Sequence, residues 1–235
     1  MKRKSFGVGL SGTIVTGDTI HVRANTHPQW LFLHGAGSSD RKRLEQLRML
    51  LARKGITSCS FDFIGHGETG GSLAGSSLES RVNQASAVID SQALAQPLSI
   101  VASSMGGYVA IKLAELYKVE NLILLAPAVY TTNAYRTPFG PAFTEAIRSP
   151  FSWRETDAWK ILENYSGNLV IYGAEKDQVI PREVIERIHD SARNAKSREI
   201  TIMEEATHSL AKWLDERPDS LRVISKKISD LVKSE

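Results

Sequence analysis

Six short apolar runs punctuate the chain: "WLFLH" (30–34), "ITSCSFDF" (56–63), "LSIVAS" (98–103), "NLILLAP" (121–127), "NLVIYG" (168–173) and "REITIM" (198–203). Each has the length and the aliphatic, β-branched character of a strand buried on both faces. Helical patterns separate most of them. "DRKRLEQLRMLLARKG" (40–55) puts Leu44, Leu47 and Leu51 on one face between an Asp40 start and a Gly55 stop, and 78–94, 105–118, 181–190 and 218–233 read the same way. Strand and helix in alternation predict a parallel sheet covered on both faces, the α/β class. Residues 5–24 differ, since apolar and small polar residues alternate there around "TGD". That pattern predicts a β-hairpin at the start of the chain and brings the sheet to about eight strands.

One stretch breaks the rhythm. Residues 129–167 are too long for a loop-helix connection and rich in Pro, aromatic and polar residues, so they predict a small excursion above the sheet with two or three short helices. The expected organisation is one domain, 1–235, carrying that insertion. With 29 basic and 26 acidic side chains the net charge is only +3, and apart from Lys2, Arg3 and Lys4 the basic residues are scattered. Neither nucleic acid nor an acidic membrane surface is therefore the expected partner. Cys59 is the only cysteine, which excludes an intrachain disulfide and a multi-cysteine metal site and suits a reducing compartment. The basic "MKRK" start is followed by Gly, Ser, Thr and Asp rather than a signal-peptide core, and no run approaches a membrane span. A soluble, cytoplasmic protein is expected.

In open α/β sheets the functional groups collect beyond the carboxyl ends of the strands. Here those ends read "HGAG", "DFIGHG", "SSMGG", "GAEKD" and "EEATHSL". A nucleophile on a tight strand-to-helix turn needs small residues two before and two after it, because the turn presses their Cα atoms against neighbouring backbone. Centred on Ser104 those positions are Ala102 and Gly106; centred on Ser103 they are Val101 and Met105, both too bulky. Ser104 is thus the expected nucleophile, with Ala102 standing where glycine is usual. A serine hydrolase with such an elbow requires the order nucleophile, acid, histidine along the chain. Asp177, in the loop after "NLVIYG", and His208, in the loop after the last strand, follow Ser104 in that order. His21 and His27 lie in the amino-terminal region, His189 lies within a helical pattern, and His34 and His66 belong to turns. Glu175, two residues nearer the strand, competes with Asp177 for the acid role.

The chain from "LFLHGAG" to the terminal helix resembles the α/β-hydrolase fold superfamily of serine esterases, lipases and aminopeptidase-like enzymes. The resemblance implies a mostly parallel central sheet with helices on both faces and a small cap at about 129–167. It implies that "HGAG" supplies part of an oxyanion hole through the Ala36 backbone N–H, with the Met105 N–H as the second donor. It makes His34 a turn-shaping residue, and "DFIGHG" a turn in which Asp62, Gly65, His66 and Gly67 fix loop geometry. Relatives with an aspartate nucleophile are disfavoured, because a serine holds the elbow.

Two glycine-rich stretches lack the context their motifs need. "GVGLSG" (7–12) is followed by a β-like segment instead of a helix, and "GHGETGGSLAGSS" has no Lys-Ser or Lys-Thr ending, so both read as turns. Tyr130, Tyr135, Phe139, Phe143, Phe151, Trp153, Trp159 and Tyr165 all fall in the cap. They either pack its core or form an apolar acyl-binding wall, for which Tyr130, Phe143 and Trp153 are the candidates. The expected activity is cleavage of an ester or thioester of a small, apolar substrate through an acyl-enzyme, with no cofactor and no metal. A non-catalytic ligand-binding protein using the same pocket, and a cofactor-free peroxidase-like or lyase variant, stay open at this stage, as does the oligomeric state.

Overall fold

A computed structural model describes residues 1–10, 12–23 and 26–233. Ser11, in the turn of the expected hairpin, and residue 24 at its end lie outside the described residues. The hairpin is formed by β1 (Lys2–Leu10) and β2 (Thr13–His21), paired antiparallel from Lys2 opposite His21 to Leu10 opposite Thr13. The six apolar runs are β3 (Trp30–Leu33), β4 (Ser58–Phe61), β5 (Leu98–Ser103), β6 (Val119–Leu125), β7 (Asn168–Ala174) and β8 (Ser197–Met203). They join the hairpin in one eight-stranded sheet, ordered β1-β2-β4-β3-β5-β6-β7-β8. Pairing is parallel from β4 through β8, and β2 meets β4 antiparallel.

Period-two alternation sorts the strand side chains into two cores. Leu31, Leu33, Ile100, Ala102, Leu122, Leu124, Leu169 and Ile171 face the layer that holds α2 (Leu78–Ser91), α3 (Met105–Leu116) and α6 (Arg182–Ser191). Trp30, Phe32, Val101, Ile123, Leu125, Val170 and Tyr172 face the layer of α1 (Glu45–Arg53), α7 (Leu210–Asp215) and α8 (Pro218–Lys233). Each large side chain so buried contributes about 1.5–3 kcal/mol, which is why the runs read as uninterrupted apolar sequence. Local signals set the helix starts. The Asp40 carboxylate accepts the Lys42 N–H at a 3₁₀ turn leading into α1, and Ser77 and Ser80 form a reciprocal capping box at α2.

Between β6 and β7 the chain leaves the sheet and forms α4 (Pro141–Arg148) and α5 (Ala158–Glu163), with 3₁₀ turns at Thr132–Ala134 and Ser152–Glu155. Asp157 ties this excursion down, because its carboxylate accepts the Tyr108 hydroxyl at 2.9 Å and the Lys112 ammonium at 2.9 Å, both from α3. Near the other edge, buried Arg41 reaches Asp18 and Asp62, and buried Arg48 lies 3.0 Å from Asp18. Asp62 also accepts the backbone N–H of Arg41 and Glu68, so the "DFIGHG" carboxylate braces its own turn. A Cβ at Gly67 would overlap that carboxylate. No helix among the described residues is long and apolar enough to cross a membrane.

Candidate active site

β5 ends at Ser103 and α3 begins at Met105, leaving Ser104 alone at the apex of the turn. Its backbone sits at φ +51°, ψ −118°, a region that costs a residue with a Cβ about 1–3 kcal/mol. Three hydrogen bonds hold it there: Ser104 N–H donates to Leu125 O at 3.0 Å, and Ser104 O accepts Gly107 N–H at 2.8 Å and Ala128 N–H at 3.0 Å. Gly106 is required by contact with backbone, since a Cβ there would lie 2.7 Å from His34 O and 2.8 Å from Leu33 O. Ala102 is fully buried, in register with Leu33 and Leu124, and its methyl group is part of the core.

His208 lies in the loop between β8 and α7. Ser104 Oγ is 3.0 Å from His208 Nε2, and His208 Nδ1 is 2.9 Å from Asp177 Oδ2. The other carboxylate oxygen of Asp177 accepts Val179 N–H at 2.8 Å and Ile180 N–H at 2.9 Å. Burial pushes the Asp177 carboxyl up, but the bonds from His208, Ile180 and Val179 outweigh it and hold the group below the ordinary carboxylate range. An ionised Asp177 selects the tautomer with hydrogen on Nδ1, leaving Nε2 to accept the Ser104 hydroxyl. Glu175 faces elsewhere: its carboxylate accepts Glu205 N–H at 2.8 Å. Backbone bonds from Glu175 N–H to Met203 O and from Lys176 N–H to Ala206 O lock the two loops together.

Met105 occupies the first position of α3, where a helix N–H has no intrahelical acceptor and the dipole favours negative charge. Ala36 follows Gly35, at which a Cβ would stand 3.1 Å from Ser104 Cβ. Ala36, Ser103, Ser104 and His208 border a small cleft of about 240 Å³. A larger cleft of about 810 Å³ also reaches Ser104, walled by Val129, Tyr130, Phe151, Trp153, Val179 and Ile180 among others. Of the three aromatic residues considered for an acyl-binding wall, Tyr130 and Trp153 line this cleft. Phe143 does not: it is buried behind Tyr130 (ring centroids 5.8 Å) and against Phe139 (4.8 Å), and it does not line the cleft. Val179 and Ile180 were not anticipated as wall residues, although the apolar "VIP" directly after Asp177 carries the signal.

The remaining titratable groups nearby serve the frame. The Nδ1–H of His34 donates to Gly35 O at 2.7 Å and Nε2 accepts Phe63 N–H at 3.1 Å; burial above all brings its pKa down to about 3. His66 Nδ1 faces the Arg81 guanidinium at 3.3 Å, and burial followed by that charge lowers its pKa. Burial pushes the Cys59 thiol up to about 12. Among the described residues no group of three or more His, Cys, Asp and Glu side chains is placed to hold a metal ion.

The family model described as "Serine aminopeptidase, S33" matches residues 25–155. No curated protein matches the chain. Among solved structures, Est1E from Butyrivibrio proteoclasticus with ferulic acid bound superposes with a TM-score of 0.72 at 15% identity, covering 94% of this chain and 98% of that one. A thioesterase domain from the curacin biosynthetic pathway gives 0.70 at 15% identity over 100% of both chains. A monoacylglycerol lipase from Paleococcus ferrophilus gives 0.69 at 17% identity, covering 92% and 99%. At these identities the likeness is one of fold.

Proposed function

The chain belongs to the serine aminopeptidase (S33) family of hydrolases and has the α/β-hydrolase fold, and from that premise we propose that it is a serine hydrolase cleaving a carboxylic ester or thioester of a small substrate with an apolar acyl group. The observation that carries the proposal is the unbroken relay from Ser104 Oγ through His208 to Asp177, at 3.0 and 2.9 Å, with the serine held at a positive φ. In this reading Ser104 Oγ attacks the carbonyl carbon while His208 Nε2 takes its proton. Asp177 keeps the ring oriented and stabilises the imidazolium. The amides of Met105 and Ala36 receive the oxyanion, and they need no reorganisation when its charge appears. Collapse of the adduct expels the leaving group, which takes the proton from His208 and leaves acyl-Ser104. Water, deprotonated by His208, then attacks the acyl carbon, and His208 returns that proton to Ser104 Oγ as the acid is released and the serine freed.

The wall of Val129, Tyr130, Trp153 and Ile180 beside Ser104 favours an apolar acyl group, with the excursion between β6 and β7 as a small cap over the cleft. The thioesterase domain and the monoacylglycerol lipase of the same fold lend the reading support by analogy. Fluorophosphonate labelling followed by mass spectrometry tests the nucleophile. An adduct on Ser104 that disappears in Ser104→Ala is expected, and an adduct on Ser103, or none in folded protein at mildly alkaline pH, would overturn the reading. A panel of p-nitrophenyl esters of rising chain length, one thioester and one aminoacyl anilide tests the substrate. Preference for the anilide would replace ester cleavage with removal of an amino-terminal residue.

A further inference from the structure

The basic "MKRK" start plays no part in the hydrolase site, and the fold divides it in two. Because β1 alternates, Arg3 points away from its neighbours and pairs with Glu45 of α1. Lys2 and Lys4 lie on the opposite face, opposite His21 and Thr19 in the strand register. That face borders a cleft of about 730 Å³, which Arg23, Thr26, His27 and Gln92 complete from the following loop and from the end of α2. Among the described residues, Lys2, Lys4 and Arg23 enter no ion pair and no Asp or Glu lines the cleft. The sequence explains why: Asp18 is the only acidic residue in the first 30 positions, and its carboxylate is buried against Arg41 and Arg48. Thr26 is tied to β2 as well, since the His21 ring bridges Thr19 Oγ1 at 2.8 Å and Thr26 O at 3.0 Å.

The cleft is remote from Ser104. Ile20 pairs with Ser58, the first residue of β4, and Gln29 Nε2 donates to Pro97 O just before β5, so the cleft lies at the amino-terminal ends of the parallel strands. Ser104 lies at their carboxyl ends. Lysines on an edge strand such as β1 also discourage sheet-to-sheet pairing, but that role leaves the convergence of Arg23, His27 and Gln92 on the same cavity without a reason.

We propose that this cleft is a second binding site, distinct from the hydrolase site, for clustered phosphate groups. Three cations that have no ion-pair partner among the described residues, hydroxyl and amide donors and a volume in the range of small-molecule sites suit a di- or triphosphate. Isothermal titration of the full chain with inorganic tripolyphosphate tests it. Binding weakened by salt is expected, with Lys4→Gln and Arg23→Gln each lowering affinity about tenfold, the size of one lost charge-assisted bond. Arg3→Gln, on the other face, should leave affinity unchanged. All three residues are on the surface, and retained fluorophosphonate labelling together with an unchanged circular dichroism spectrum would verify folding. Sedimentation with phosphatidylcholine vesicles, with and without phosphatidic acid, separates the sources: tripolyphosphate binding alone assigns a soluble phosphate ester, and vesicle binding displaced by tripolyphosphate assigns a lipid headgroup. Absence of tripolyphosphate binding, equal affinity in Lys4→Gln and Arg23→Gln, or an equal loss in Arg3→Gln overturns the proposal.

Discussion

Ser104 is held at φ +51° by bonds to Leu125, Gly107 and Ala128, so the residue proposed to do the chemistry carries strain that the turn imposes. Two substitutions isolate that strain. Ser104→Gly and Ser104→Ala both delete the hydroxyl and should abolish acyl turnover, but only alanine keeps a Cβ in a region that favours glycine. The glycine variant should be more stable by about 1 kcal/mol in urea denaturation; equal stability would show the turn to be relaxed. The acid is tested the same way. Asp177→Asn should cost roughly 10⁴-fold in kcat, as loss of the correct imidazole tautomer does in the serine-protease template, while Glu175→Gln should keep most of the activity. Small residues at 102 and 106 made the tight turn at Ser104 legible in the sequence, because backbone crowding there acts on neighbours in the chain. Which of the Glu175 and Asp177 carboxylates reaches His208 was not legible, and the proposed acid role rests on that contact. That contact is set by the turn in which one Asp177 oxygen accepts the N–H groups of Val179 and Ile180, which leaves its second oxygen for His208.

Elements were readable where burial on both faces imposed a continuous apolar run, so all six strands stand within a few residues of the stretches that announced them. α7 was not readable. Six residues make fewer than two turns, and Leu210, Ala211 and Leu214 alone are buried, too few positions for a periodic signal. The excursion between β6 and β7 was legible as a unit, but the faces of its aromatic residues were not, because short helices joined by 3₁₀ turns have no common period. The structure separates Trp153, on the cleft wall, from Phe143, buried 6% exposed behind Tyr130. Trp153→Ala should therefore shift preference among p-nitrophenyl esters of different chain length while leaving the fold intact. Phe143→Ala should instead cost about 3–5 kcal/mol of stability as a buried aromatic replaced by a cavity, with chain-length preference nearly unchanged. The opposite pattern, selectivity moving with Phe143 and stability with Trp153, would reverse their roles.

For the molecule as a whole, the groups framing the site set how it responds to acid. His34 joins the loop after β3 to the loop after β4 through Phe63, and its carbonyl oxygen abuts Gly106 at the start of α3. Its neutral ring donates on one side and accepts on the other, so a second proton would set Nε2–H against Phe63 N–H. The native pKa is about 3 against an ordinary 6.5. Between those values the unfolded chain binds a proton that the native state refuses, so stability falls as pH falls, by up to about 1.4 kcal/mol per pH unit for one such group. His66, also lowered by burial above all, contributes in the same direction as pH falls below 6.5. Asp177 acts lower on the scale. With its native pKa held below 3.8, it stabilises the fold above that value, and the contribution is lost as pH falls through its native pKa. Urea midpoints measured across the acid range should decline from about pH 6 downward. His34→Gln retains an acceptor for Phe63 N–H but does not titrate, so it should lower stability at neutral pH and flatten the decline between about pH 6 and 4. A His34→Gln curve running parallel to that of the unaltered protein through this range would place the proton uptake elsewhere, and the same measurement on His66→Gln would then decide whether His66 is its source.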